Sequence, residues 1–269
     1  MIKCIEREIE LLEKIHNDNI IELHDWVMTR ENNEKVYYLI YELADEGDLE
    51  KKLKASKYLP ENEVINYMIQ IGNGFKALEK IIHRDIKPSN IVFKNGVAKI
   101  IDFDFAKFVD LQPTNAIGTY RYKSPEVFKG EIDLTKCDIW SFGMMLFELL
   151  YGRFPWIPKT ECDHQFLEVQ AKYNSIDFPK MPEISAKMQK LLTGMIVYKV
   201  EDRMDWKTVF KNIDEFDEIR YKESPNKMQS KVLKINDYYC YLKLFIFNSY
   251  DPLLIFLHSI YQIVIYPKC

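Results

Sequence analysis

Between positions 83 and 104 the chain collects the side chains that a metal-assisted transfer of phosphate requires. His83-Arg84-Asp85-Ile86-Lys87-Pro88-Ser89-Asn90 is followed, twelve residues after Asn90, by Asp102-Phe103-Asp104. A lone Asp beside an Arg is usually a surface ion pair. Here carboxylates, a lysine and an asparagine flank one hairpin, 90–93 and 97–101, closed by Asn95-Gly96, a strong tight-turn pair. Oxygen donors from an Asn and an Asp suit Mg²⁺, and a further Asp can orient a hydroxyl and take its proton.

Periodic segments on either side must hold this group in place. Ile2, Ile5, Ile9, Leu12 and Ile15 recur every three or four residues, which predicts an opening amphipathic helix. β-Branched and aromatic runs at 20–28 and 36–43 predict two strands, with the polar Arg30 to Glu34 as their turn. Pro60 suits the first turn of a helix striped Val64, Met68, Ile71, Phe75 and Leu78. A second long helix carries Ile139, Phe142, Leu146 and Leu149 and stops at Gly152 and Pro155. Helical patterns return over 184–197 and 205–216. The fold class is α+β, with a small sheet-and-helix piece over 1–43, a mainly helical lobe over 44–220 and an apolar extension of unassigned role over 221–269.

Composition narrows the function classes. With 47% hydrophobic residues the chain can bury a large core, and a net charge of −4 gives no general reason to expect nucleic acid. The five cysteines are odd in number and form no Cys-x-x-Cys pair, which predicts reduced thiols and a cytoplasmic location. The extension is rich in Tyr, Phe, Ile and Leu, but Asn248, Asp251, Pro252 and His258 interrupt it. A membrane span of about 20 apolar residues is therefore not expected. The chain has nine glycines, the first at Gly47, so no glycine-rich phosphate loop lies in the first forty-six residues.

The whole pattern resembles the eukaryotic protein kinase family, through the 83–90 loop, Asp102-Phe103-Asp104, Gly118-Thr119, Ser124-Pro125-Glu126 and Asp138-Ile139-Trp140-Ser141-Phe142-Gly143. The resemblance implies a bilobal kinase-like fold with a truncated small N-lobe and a serine/threonine kinase that uses ATP and Mg²⁺. Asp85 would accept the substrate proton, Asn90 and Asp102 would bind Mg²⁺, and Lys87 would neutralise the γ-phosphate. Lys87 and Thr119 mark the serine/threonine form, so the implied partner is a protein bearing Ser or Thr, with a regulatory partner allowed for. Ser89 stands where many kinases that prefer arginine-rich sites carry a glutamate, so no strong basic-site preference is implied.

By the same resemblance the Glu42 carbonyl and Ala44 amide face adenine, Asp48 reaches the ribose, Val92 packs beneath adenine and Tyr41 is the gatekeeper. Arg84 and Lys107 would clamp a phosphate on Thr114, the one hydroxyl between Asp104 and Gly118. Glu126 and Arg203 would form a buried structural pair, with Asp138 at the start of the central helix. Asn95 to Ile100, Phe105-Ala106-Lys107 and Gly47-Asp48-Leu49 look most like the unc-51-like, autophagy-initiating group.

Two departures from the family are visible. Arg7-Glu8-Ile9 resembles the regulatory helix, which makes Glu8 the counterpart of the glutamate that pairs with a lysine in the nucleotide cleft. Seven residues precede Glu8, and Lys3 shares its helix, so the sequence offers Glu8 no evident partner. Loss of such a charge contact and of the phosphate cover costs about 2–4 kcal/mol each. The alternative function is therefore a pseudokinase or interaction module; a small-molecule phosphotransferase is a third reading that Lys87 and Ser124-Pro125-Glu126 disfavour. The second departure is Asp104 in place of glycine, either as a third metal-facing carboxylate or as a solvent-facing turn residue.

Overall fold

The computed structural model describes residues 2–31, 34–78, 81–108, 119–130, 134–156, 175–223 and 240–244. The opening stripe forms helix α1 (Ile2–Leu12), in which Ile5, Ile9, Leu11 and Leu12 are buried. Ile15 lies past the helix end and still packs on the core. Strands β1 (Leu23–Glu31) and β2 (Glu34–Glu42) pair antiparallel from Leu23↔Tyr41 to Glu31↔Glu34. Arg30 therefore continues the ladder opposite Lys35, and most of the polar run expected as a turn belongs to strand ends. Polarity at that point marks the solvent end of the hairpin.

Helix α2 (Leu49–Ser56) is N-capped by Asp48, whose side chain accepts the Lys51 N–H. In α3 (Glu61–Ala77) and the following Leu78, the five apolar stripe residues are all buried. Short strands β3 (Ile81–Ile82) and β6 (Lys107–Phe108) pair with each other, and between them runs the hairpin of β4 (Ile91–Lys94) and β5 (Val97–Ile100). Asn95 and Gly96 turn it with φ of 52° and 73°, both left-handed, as their sequence pair demands. The helical lobe continues with α4 (Pro125–Lys129), α5 (Cys137–Tyr151), α6 (Ala186–Met195) and α7 (Trp206–Glu223). Strand β7 (Cys240–Leu244) then pairs with the free side of β2, giving the order β1-β2-β7.

One apolar cluster runs from Ile5 and Leu39 through Met68 and Phe142 to Phe216, so small and large parts share a core. Asn19 fastens them: Ile21 N–H donates to Ile100 O at 3.0 Å, Ile100 N–H to Asn19 O at 2.9 Å, and Asn19 Nδ2 to Ala98 O at 2.9 Å. A side chain at Gly74 would meet Ile100 Cδ1 at 2.9 Å and Asn19 O at 3.0 Å, so this close approach needs glycine. No helix among the described residues is long and apolar enough to cross a membrane.

The helical lobe is pinned by one buried ion pair. Arg203 Nη1 and Nη2 meet Glu126 Oε1 and Oε2 at 2.6 and 2.9 Å, while its Nε donates to Val197 O and Nη1 also to Lys136 O. Both side chains are fully enclosed, and the guanidinium lies over Trp140. Removing one member leaves an uncompensated buried charge. Arg203→Ala and Glu126→Ala are each expected to destabilise by about 3–5 kcal/mol in urea unfolding, and the double variant by less than their sum.

Candidate active site

The pairing Ile91↔Ile100 and the bond from Ile101 N–H to Asn90 O bring Asn90 and Asp102 to the same end of the β4–β5 hairpin. The 83–90 loop arrives at that end from β3. Its path is set by Asp138 at the start of α5, whose two carboxylate oxygens accept the His83 and Arg84 N–H groups at 2.7 and 2.8 Å. Arg84 is thereby held at φ 69°, a left-handed conformation that is uncommon outside glycine. The His83 ring accepts the Asp85 N–H through Nδ1 and donates from Nε2 to Ile101 O, which joins the loop to the hairpin. Phe103 packs edge-on against the same ring at 4.8 Å.

Asp85 sits at the centre, almost wholly buried. Its Oδ2 accepts Lys87 Nζ at 2.7 Å and Asn90 Nδ2 at 3.1 Å; its Oδ1 accepts both the N–H and the hydroxyl of Thr119 at 2.8 Å. Lys87 Nζ also donates to Thr119 Oγ1 at 2.8 Å, closing a ring of three side chains. Burial pushes the Asp85 carboxyl up, but Lys87, then Thr119, more than offset this and hold it below its ordinary value. Both amide hydrogens of Asn90 go to Asp85, so the atom it could offer a metal is Oδ1. Together with the Asp102 carboxylate this is a hard-oxygen donor set that fits Mg²⁺, which is commonly held by one or two protein groups plus substrate phosphates. No cluster of three His, Cys, Asp or Glu that could hold a metal occurs among the described residues.

Among the residues assigned to the nucleotide, Ala44 is buried two residues past the end of β2. Asp48 bridges to Val92, and the 46–47 segment bonds Phe93, so the ribose and adenine candidates share one patch of backbone pairing. The Asp48 side chain also caps α2 and meets Lys51 Nζ at 3.2 Å. The Glu42 side chain is buried and accepts Lys99 Nζ at 2.6 Å, Lys94 Nζ at 3.0 Å and the Glu22 N–H at 3.0 Å. Burial raises its pKa, yet the two lysines and that N–H bring it below the ordinary range. Alternation along 94–99 carries no signal for two lysines converging on one acid, and sequence reasoning missed them.

Two expectations need correction. Glu8 does have a partner: the Tyr41 hydroxyl donates to its Oε1 at 2.7 Å inside the protein. Burial, then Glu8, Asp104 and Asp102, push the Tyr41 phenol well up, so the hydroxyl keeps the proton it donates. Asp104 is buried within the turn Phe103–Phe105, so it does not face solvent, and the left-handed residue is its neighbour Asp102 at φ 68°. No glycine geometry is needed at 104. Arg84 and Lys107 are both buried and near enough that each charge opposes the other; burial first, then Arg84, lowers the Lys107 pKa. Thr114 and Gly118 lie outside the described residues.

The depressed Asp85 pKa fixes the sign of its pH dependence. Its contribution to stability is present above the unfolded value of about 3.9 and is lost as pH falls through the lower folded value. Lys87→Met removes the largest lowering influence and leaves burial, so the Asp85 pKa is expected to rise. Carboxyl ¹³C titration checks this, and an unmoved or lowered value would contradict it.

Comparison with known proteins supplies the family. A family model described as "Protein kinase domain" matches residues 2–213. The serine/threonine-protein kinase atg1 of Dictyostelium discoideum is 32% identical over 212 residues, covering 76% of this chain and 31% of that protein. The serine/threonine-protein kinase ULK1 of Homo sapiens is 29% identical over 219 residues, covering 76% and 20%. The serine/threonine-protein kinase Aurora-1 of Arabidopsis thaliana is 30% identical over 203 residues, covering 74% and 67%. The match thus spans less than a third of the first two relatives. With its kinase match extending from α1 into α7 and enclosing the Asp85 ring, the chain belongs to the protein kinase family.

Proposed function

We propose that this protein is a serine/threonine kinase that transfers the γ-phosphate of ATP to a Ser or Thr hydroxyl of another protein. The ring of Asp85, Lys87 and Thr119 carries the reading. Both oxygens of Asp85 are held and its charge is retained, so it can align an incoming hydroxyl and accept its proton as the oxygen attacks phosphorus. Lys87, fixed between Asp85 and Thr119, adds positive charge where the equatorial oxygens of the phosphoryl group gather electrons. Mg²⁺, held by Asn90 Oδ1 and Asp102, would supply charge neutralisation across the phosphates.

The nucleotide would lie along the edge marked by Glu42, Ala44, Asp48 and Val92, with Tyr41 behind it. Arg84 and Lys107 form a cationic pair suited to a phosphate on Thr114. The serine/threonine choice rests on Lys87 and Thr119 and on the printed names of the relatives. Similarity to atg1 and ULK1 favours the unc-51-like group. The Cys137 thiol, buried and pushed well up by burial, suits the reduced state expected of a cytoplasmic protein.

Incubation of the full chain with γ-labelled ATP, Mg²⁺ and a generic protein substrate is expected to yield phosphoserine or phosphothreonine, and to stop on chelation. Asp85→Asn is expected to lower kcat by about 10²–10⁴-fold. Label found only on a small molecule, or an undiminished rate in Asp85→Asn, would refute the proposal. Thr114→Ala should reduce activity in preparations phosphorylated at that site.

A further inference from the structure

The last rung between β1 and β2 is closed by a side chain. In an antiparallel ladder, residues that face each other as a hydrogen-bonded pair exchange both of their N–H···O=C bonds. Residues 22 and 42 continue the Leu23↔Tyr41 register by one position, and the first bond of the exchange is present: the Glu42 N–H donates to Glu22 O at 3.0 Å. The second is replaced. The Glu22 N–H donates at 3.0 Å to Oε1 of the Glu42 side chain, so it is not spent on the Glu42 carbonyl. An ionised carboxylate is a stronger acceptor than a carbonyl for the same N–H.

The β4–β5 hairpin holds that carboxylate in place. Lys99 Nζ meets Glu42 Oε1 at 2.6 Å and Lys94 Nζ meets Oε2 at 3.0 Å. Burial works against the charge of Glu42, and Lys99, then Lys94, outweigh it. Lys99 stands opposite Val92, the residue assigned beneath adenine. The same hairpin is clasped to the segment after β2 by the Glu46 N–H on Phe93 O at 3.2 Å and by the Glu46 carboxylate on the Gly96 N–H at 3.0 Å. Its other end leads to Asn90 and Asp102. One element thus fixes the acid at residue 42 and carries the metal candidates.

We propose that Glu42 is a positioning residue for the adenine base. Its carboxylate takes the Glu22 N–H, which leaves the Glu42 carbonyl to accept from the amino group of the base, and Lys99 and Lys94 hold the carboxylate there. Adenine carries an amino donor where guanine carries a carbonyl acceptor, so the arrangement selects ATP over GTP. The hydrogen bonds stand apart from the kinase reading; the role toward the base rests on it.

Two measurements on the full chain test this. In the wild-type protein, a through-hydrogen-bond NMR coupling is expected from the Glu22 amide nitrogen to the side-chain carboxyl carbon of Glu42. A coupling to the Glu42 carbonyl carbon instead would overturn the replacement. Glu42→Gln/Lys99→Met keeps an acceptor for the Glu22 N–H and Glu42→Leu/Lys99→Met removes it, while neither leaves Lys99 as an unpaired buried charge. In competition with a fluorescent ATP analogue, the Leu variant is expected to bind ATP about 3- to 10-fold more weakly than the Gln variant with GTP affinity unchanged. The preference for ATP over GTP then falls by the same factor. Loss of folded protein lowers the number of sites and does not move that ratio. Equal preference in the two variants would overturn the positioning role alone. A wild-type chain that binds no nucleotide would refute the kinase reading and the role toward the base together, leaving the NMR coupling to decide the hydrogen bonds.

Discussion

The active centre depends on one buried carboxylate. Asp138 spends both oxygens on the N–H groups of His83 and Arg84, and this holds a non-glycine residue in left-handed backbone. Burial raises the Asp138 pKa, while His83 and Arg84 act against it. With that bend in place, His83 reaches Ile101, Asp85 faces Thr119 and Asn90 starts the hairpin. The acid belongs to α5, whose residues are buried almost throughout, so a deeply packed helix fixes the left-handed residue of the loop.

The strain is local and its consequences are distributed. Arg84, once turned, sends Nε to Phe105 O at 2.6 Å, which anchors the segment after Asp102. That segment packs against α1, and α1 in turn carries Glu8 to Tyr41. The 83–90 loop, the hairpin end and the small sheet are therefore coupled through hydrogen bonds that each end on a backbone group or a buried acid. Such a network rigidifies when it is fully made and is costly when any member is lost.

Much of this was legible in the sequence. The stripe of α3, the Asn95-Gly96 turn and the grouping of Asp85, Lys87, Asn90 and Asp102 follow from periodicity and short spacings, where local rules act directly. The partner of Glu8 was not legible, because Tyr41 lies 33 positions away and a tyrosine hydroxyl carries no charge signal. Burial of Asp104 was missed for a related reason: an acid in a turn reads as solvated until the packing of α1 on that turn is known. The two lysines on Glu42 lie 52 and 57 positions along the chain (94−42 and 99−42), in strands whose pattern suits either face. Strand β7 was hidden within a run whose composition alone suggested only apolar packing.

The pairing of β2 with β7 also sets an order of events in folding. Strands β1 and β2 are neighbours in the chain and close over two residues, whereas Glu42 and Cys240 are 198 positions apart (240−42). Loop-closure entropy and the direction of synthesis both favour the early hairpin over the late strand. While the chain is still being made, the helical lobe can assemble around a two-stranded sheet. The third strand, 198 positions further along the chain (240−42), joins that sheet later than the hairpin forms.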